Sequence, residues 1–195
     1  MSEGTDGPGA ILTLEPFIEG VRDGAEGSGW RLSGLQKTTS HEFEGRWAGE
    51  STRSAYLFFH RADLPDEISV EAFLDETSRG LRGNLSLVVE GPELGELPSF
   101  PELLRHLSTA VRASLPEGYR TPITLRAGLD DAESPSGSAE VQLRVKLRFP
   151  RTAMEAGRSA VSALTSATVA AFETLLARSE LHAFLSDGGG GGDGR

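Results

Sequence analysis

The sequence contains no cysteine, and lysine supplies only 2 of its 19 basic residues. Without cysteine the chain can form no disulfide, and it offers no thiolate for nucleophilic catalysis or metal binding. Residues 1–9 include acidic side chains where a secretory signal carries positive charge, and no apolar segment of signal length follows. The longest uncharged run, 159–172, is too short and too rich in Ser and Thr to span a bilayer. These absences predict a cytoplasmic protein with no membrane role.

Common catalytic and nucleotide-binding motifs are absent from the sequence as well. It has no P-loop, no G-x-S-x-G, no H-E-x-x-H and no internal repeat. A net charge of -10 argues against a general nucleic-acid binder, because such proteins normally carry a basic surface. We therefore expect no cofactor, no metal and no nucleic-acid partner. The excess of Arg over Lys and the abundant Gly and Ala are typical of a GC-rich bacterial genome.

Alternating apolar and polar residues between Ala139 and Phe149 give the clearest structural signal in the sequence. This period of two is typical of a strand with one buried and one solvated face. Similar patterns predict strands at 30–36, 39–47, 54–60, 85–89 and 123–129, and a short strand followed by a turn within 10–21. A short loop, 130–138, joins the last two strands, so we expect them to pair antiparallel.

Three helices are predicted from apolar periodicity and N-terminal capping signals. Residues 70–81 follow Ser69 as an N-cap, 99–115 open with a Ser99 and Glu102 capping box, and 152–177 open with Thr152 and Glu155. The first of these helices would lie between strands 54–60 and 85–89. Such a β-α-β unit permits a right-handed parallel crossover.

These elements predict one α+β domain over residues 10–186, between Gly-rich ends 1–9 and 187–195 that we expect to be disordered. Its sheet would be mixed, mostly antiparallel, and built from six or seven strands. The three helices would pack mainly on one face, with a long helix at the C-terminus.

Two histidines form the first candidate site. If 48–53 is a hairpin loop and Trp47 faces Ser54, His41 lies opposite His60, close enough to share a proton or a metal. Asp63 is the nearest carboxylate in sequence that could orient one imidazole. The register is ambiguous, because a one-residue slip is equally apolar. Histidines with a purely structural role at the end of a buried strand are the alternative interpretation.

The second candidate site is a basic face of the predicted final hairpin, formed by Arg126, Arg144, Lys146 and Arg148. Arginine suits bidentate contacts with phosphate or carboxylate, so this face could hold an anion or an acidic partner. The alternative is an ordinary solvated face whose charges are balanced by acidic residues on neighbouring elements.

The third candidate site is the uncharged stretch of the last helix. A surface helix normally carries a charged stripe, so its absence over 159–172 predicts that both sides of this helix are covered. The cover would be either the helix at 99–115 or another protein molecule. In the second case the interface would include Ala160, Leu164, Ala167 and Ala171.

These features favour a non-catalytic protein-binding domain, such as an adaptor, a chaperone or a neutralising partner, acting through a sheet face and the last helix. Its partner would be another protein or a second copy of the chain. One alternative is an enzyme or small-molecule-binding protein with the histidine pair in an aromatic pocket. The other alternative is an anion-binding regulatory domain.

Overall fold

The computed structural model describes residues 14–40, 51–77, 80–93, 100–114, 123–129, 139–179 and 181. The predicted strand at 39–47 falls mostly outside these ranges, and the two Gly-rich ends fall wholly outside them. The elements in chain order are α1 Glu15–Glu26, β1 Arg31–Ser40, β2 Ser51–His60, β3 Ile68–Thr77, β4 Gly80–Glu93, α2 Phe100–Ser114, β5 Ile123–Leu129, β6 Ala139–Arg148, α3 Arg151–Glu155 and α4 Arg158–Leu176. The α+β class with a C-terminal helix is confirmed.

The strands form one sheet in the order β1-β2-β3-β4-β6-β5, and each neighbouring pair is antiparallel. The antiparallel pairing of β5 with β6 is confirmed, whereas the predicted parallel crossover is wrong because 68–77 is a strand rather than a helix. This segment also alternates with a period of two, and the paired Thr77 and Gly80 leave only a two-residue hairpin connection. Gly80 adopts a φ of 105°, which a residue with a side chain rarely tolerates.

The core lies between one face of the sheet, called here the inner face, and the helices. Inner-face residues are buried on each of the central strands: Ala55, Leu57, Phe59, Val70, Ala72, Leu74, Leu85, Leu87, Val89, Leu143, Val145 and Leu147. Helices α1, α2, α3 and α4 each contribute buried side chains to the same cluster. The described helices therefore cover a single face of the sheet, and the opposite face is called here the outer face.

Helix α1 replaces the short strand predicted within 10–21. Phe17, Ile18, Val21 and Ala25 are buried along one side of it, at helical spacing. Pro16 lies in the first turn of α1, where no intrahelical hydrogen bond to its nitrogen is needed. The proline therefore marks the start of a helix.

Helices α1 and α4 approach each other closely through glycine. A Cβ added to Gly24 would lie 2.4 Å from the carbonyl oxygen of Ser162, and one added to Gly20 would lie 2.7 Å from that of Arg158. Arg158 also donates hydrogen bonds to Asp23 and Glu19 of α1. Much of the uncharged stretch of α4 is thus explained by internal packing. The main cover is α1, whereas the predicted cover, α2, makes a smaller contact.

The predicted helix 152–177 is interrupted between α3 and α4. Gly157 adopts a φ of 87° immediately before α4, a conformation that breaks a helix and that glycine tolerates. Pro150 rather than Thr152 precedes the first turn of α3, and its side chain makes no capping hydrogen bond. The predicted capping box at Thr152 is therefore wrong.

Candidate functional site

The outer face carries two chemically different regions, placed there by strand alternation. Residues of β2 and β3 that alternate with buried ones supply Tyr56, Phe58 and Phe73, called here the aromatic cluster. Residues of β6 that alternate with Val145 and Leu147 supply Lys146 and Arg148, called here the basic strip. Strand β4 lies between the two regions in the sheet.

Tyr56 is the most accessible side chain of the aromatic cluster. Tyr56 is 45% exposed, although its strand neighbours Ala55 and Leu57 are fully buried. Its ring centroid lies 4.5 Å from that of Phe73 on the next strand, with the rings tilted by 35°. Phe58 leans over Gly34 of β1, where an added Cβ would lie 3.2 Å from its ring. The exposed Tyr56 ring is therefore held in place by Phe73, whereas Phe58 and Phe73 are themselves half-buried.

An ion pair bridges β4 beside the aromatic cluster. Arg144 of β6 contacts Glu71 of β3 at 2.7 Å, so the two side chains meet across the strand between them. Ser86 and Val88 of β4, on the same face, are each only 1% exposed. The Ser86 Oγ and the Arg144 Nε are buried without a hydrogen-bond partner. Buried polar atoms without a hydrogen-bond partner cost stability.

Within the described ranges, no acidic side chain forms an ion pair with the basic strip. Lys146 and Arg148 are exposed and form no ion pair there, whereas Arg144 is neutralised by Glu71. Arg126 occupies the β5 position opposite Gln142, on the same face by register, and its side chain lies outside the described set. Of the four predicted residues, Arg144 is thus ion-paired, and Lys146 and Arg148 form no ion pair within the described ranges. The side chain of Arg126 is not described.

The predicted histidine pair is wrong in its register. The β2 residue His60 lies opposite Arg31, and the pairing of β1 with β2 ends at Ser40 and Ser51. Thr38 rather than Trp47 lies opposite Ser54, and His41 and Trp47 fall outside the described residues. The β2 segment is apolar on both faces, so its sequence did not determine which strand partner each residue would have.

Among the described residues, Asp63 is paired with Arg61 and not with an imidazole. It accepts two hydrogen bonds from Arg61, at 2.6 and 2.7 Å, and the guanidinium lowers the pKa of this carboxyl. Arg61 also donates to Glu173 of α4 at 2.5 Å. Glu173 in turn accepts a hydrogen bond from the indole of the fully buried Trp30 at 3.2 Å. This network ties the loop after β2 to α4, which is a structural role.

The candidate interface residues on α4 divide into two groups. Leu164 and Ala171 are half-buried and pack against the core, and Ala160 is also half-buried. Ala167 is exposed. The exposed positions between 159 and 174 are all small and uncharged, so part of the predicted surface persists outside the α1 contact. Helix α4 is long and apolar enough to cross a membrane, with a mean hydropathy of 1.3 over its most apolar window. The core helices of soluble proteins meet the same criteria.

A groove of about 320 Å³ lies at the end of the sheet, near α3. Its lining includes Phe17, Leu81 and Met154, with the ion-paired Arg151 and Glu155 also contributing. Within the described ranges, no group of His, Asp and Glu side chains is arranged to hold a metal ion. The groove therefore offers apolar contact without an evident catalytic group.

The helix predicted over 70–81 gives no indication that Glu71 and Phe73 lie on the outer face of the sheet. The alternation of Ile68, Val70, Ala72 and Leu74 was the signal that could have placed them. Comparison of the chain with models of protein families, with curated proteins and with solved structures gives no match. Functional inference for this chain therefore depends on the surface chemistry of the site.

Proposed function

We propose that the protein is a non-catalytic protein-binding domain whose contact surface is the outer face of the sheet. The observation that carries this proposal is the aromatic cluster, in which Tyr56 remains 45% exposed beside the rings of Phe58 and Phe73. Tyr is enriched at protein interfaces because it combines a large apolar surface with a polar end. Association would bury this surface at little cost in side-chain entropy, since the Tyr56 ring already packs against Phe73.

The shape of the face also suits a protein partner. The described helices lie on the inner face, so the outer face is a broad surface formed by neighbouring strands. One pair of charges, Glu71 with Arg144, lies beside the aromatic cluster, as polar groups do at the rim of many interfaces. The enzyme alternative has weaker support, because His60 lies opposite Arg31 and Asp63 is engaged by Arg61.

The exposed side of α4 is a second candidate surface for the same function. Ala167 is exposed and uncharged, and a partner helix could approach closely over such small side chains. Small residues alone give little binding energy, and the core already engages Leu164 and Ala171. We therefore place the main contact on the outer face and keep α4 as the comparison surface in the test.

The test is site-specific photo-crosslinking in the cells that express the protein. A benzophenone amino acid replaces Tyr56 in one variant, Ala167 in a second and the exposed Arg112 of α2 in a control. We expect a discrete crosslinked protein with the Tyr56 variant and none with the control. An adduct with the Ala167 variant alone would move the interface to α4. Equal labelling at all three positions, or no discrete adduct from Tyr56, would contradict the proposal.

A further inference from the structure

The charge balance of the outer face identifies the chemistry of its partner, given the proposed function. Two carboxylates near the basic strip already have partners: Glu71 is paired with Arg144, and Asp75 with Arg82 at 2.5 Å. Lys146 and Arg148 remain without an ion pair in the described part of the chain. Glu90, on the same face, lies four residues beyond Ser86 along β4, about 13 Å away. The strip therefore carries a local excess of two positive charges on a protein with a net charge of -10.

The basic strip and the aromatic cluster have a defined separation. Tyr56, Phe73, Asn84 and Arg148 occupy one row across β2, β3, β4 and β6. Neighbouring strands lie about 4.8 Å apart, so Phe73 and Arg148 are about 10 Å apart at the backbone. An extended segment covers this distance in about three residues, and a helix covers it in about seven. A single short segment can therefore contact both regions.

We propose that the outer face binds an acidic segment of another protein, in which a carboxylate and an aromatic or aliphatic side chain lie about 10 Å apart. The apolar side chain contacts the aromatic cluster, and the carboxylate contacts Lys146 and Arg148. A second copy of the chain fits less well, because two outer faces packed together would bring two basic strips into one interface. The net charge of -10 on each copy adds further repulsion.

The bridge over β4 gives the partner a further contact. One terminal guanidinium nitrogen of Arg144 contacts Glu71. The Nε of Arg144 and the nearby Ser86 Oγ are buried without hydrogen bonds. An incoming carboxylate that replaced Glu71 on Arg144 would bring oxygen acceptors to this region of the outer face. The unsatisfied donors thus favour the same acidic partner as the free basic strip.

The experiment is a selection of random 16-residue peptides displayed on phage against the full-length protein. Selected peptides are then synthesised, and their binding is measured by fluorescence anisotropy at low and high salt. We expect acidic sequences with an aromatic or aliphatic residue at the stated spacing. Their affinity should fall about tenfold or more on double charge reversal, Lys146→Glu with Arg148→Glu, and should weaken as salt is added.

The matched control reverses two exposed arginines on the opposite side of the molecule, Arg22→Glu with Arg112→Glu, and changes the net charge equally. It should leave peptide affinity within about twofold of wild type. Tyr56→Ala should weaken binding with no loss of circular dichroism signal, because this residue is already half exposed.

The outcomes separate this inference from the proposed function. Neutral or basic peptides that lose binding on Tyr56→Ala would overturn the acidic partner and leave the outer face as a binding surface. Peptides that bind wild type, the Tyr56 variant and the charge-reversed variant equally would overturn both, as would a selection that yields no peptide dependent on this face. A protein dimer that Lys146→Glu with Arg148→Glu dissociates would replace the acidic partner with a second copy.

Discussion

Substitution of Gly24 by alanine tests the packing of α1 on α4, which positions α4 over the inner face of the sheet. The added methyl group would lie 2.4 Å from the carbonyl oxygen of Ser162 and 2.8 Å from the Cβ of Thr165. Ordinary contacts of this kind are about 3.5–4 Å, so the two helices must separate by about 1 Å. The carbonyl belongs to the α4 backbone and cannot rotate away as a flexible side chain could.

The expected magnitude follows from two opposing terms. Overpacking of a close contact costs about 1–3 kcal/mol, and the rigid obstacle here favours the upper end of that range. Replacement of glycine by alanine inside a helix returns about 1 kcal/mol. The net expectation is a loss of about 2 kcal/mol in the free energy of unfolding. With a urea m-value of about 2 kcal/mol per M, the midpoint should fall by about 1 M.

The assay is urea unfolding followed by circular dichroism, with Gly27→Ala as the matched control. Gly27 has a helical φ of -62° at the end of α1, and an added Cβ there would meet only atoms of its own helix. Its midpoint should change by no more than about half as much. If Gly24→Ala matched this control or stabilised the protein, α1 would not be seated on α4 as described.

Three further predictions concern the Trp30 network and the exposed side of α4. Glu173→Ala should lower the free energy of unfolding by about 1–2 kcal/mol, because the indole of Trp30 and the guanidinium of Arg61 both lose a hydrogen-bond acceptor. Glu173→Gln should lower it by less. Urea unfolding of both variants checks this prediction. The pKa of Asp63 is lowered below its ordinary 3.8 by Arg61, so its stabilising contribution is present above that value and is lost as the pH falls through the folded-state pKa. The midpoint difference between wild type and Asp63→Asn should therefore shrink from pH 7 to acidic pH, and a constant difference would contradict this role. Ala167→Glu should change the free energy of unfolding by less than about 0.5 kcal/mol and leave the mass by light scattering unchanged, whereas dissociation of an oligomer would place an interface on α4.

Several elements were predictable because one local pattern sufficed for each. Strands β5 and β6 and helix α2 have regular apolar periodicity and clear boundaries, and all three lie close to where the sequence predicted them. The apolar residues of 68–77 fit both a helical and a strand period, so the local pattern wrongly predicted a helix there. Pairing with β2 and β4 on both sides decided the outcome.

The candidate site was predictable only in its parts. The alternation in β6 placed Arg144, Lys146 and Arg148 on one solvated face without further information. The neutralisation of Arg144 depends on Glu71, which reaches it across β4 from a strand 73 positions earlier in the chain. No local pattern contains such a contact, because it depends on the order of strands in the sheet.

By itself the sequence determined the α+β class, the alternating face of β6 and the helix at α2, since these follow from the spacing of apolar residues along a single segment. The tertiary structure alone decided that His60 faces Arg31 and that α1 rather than α2 is the main cover of α4. Strand register and helix contact depend on side chains distant in sequence that compete for the same buried space. The same competition left Tyr56 exposed on the outer face while Leu57 entered the core.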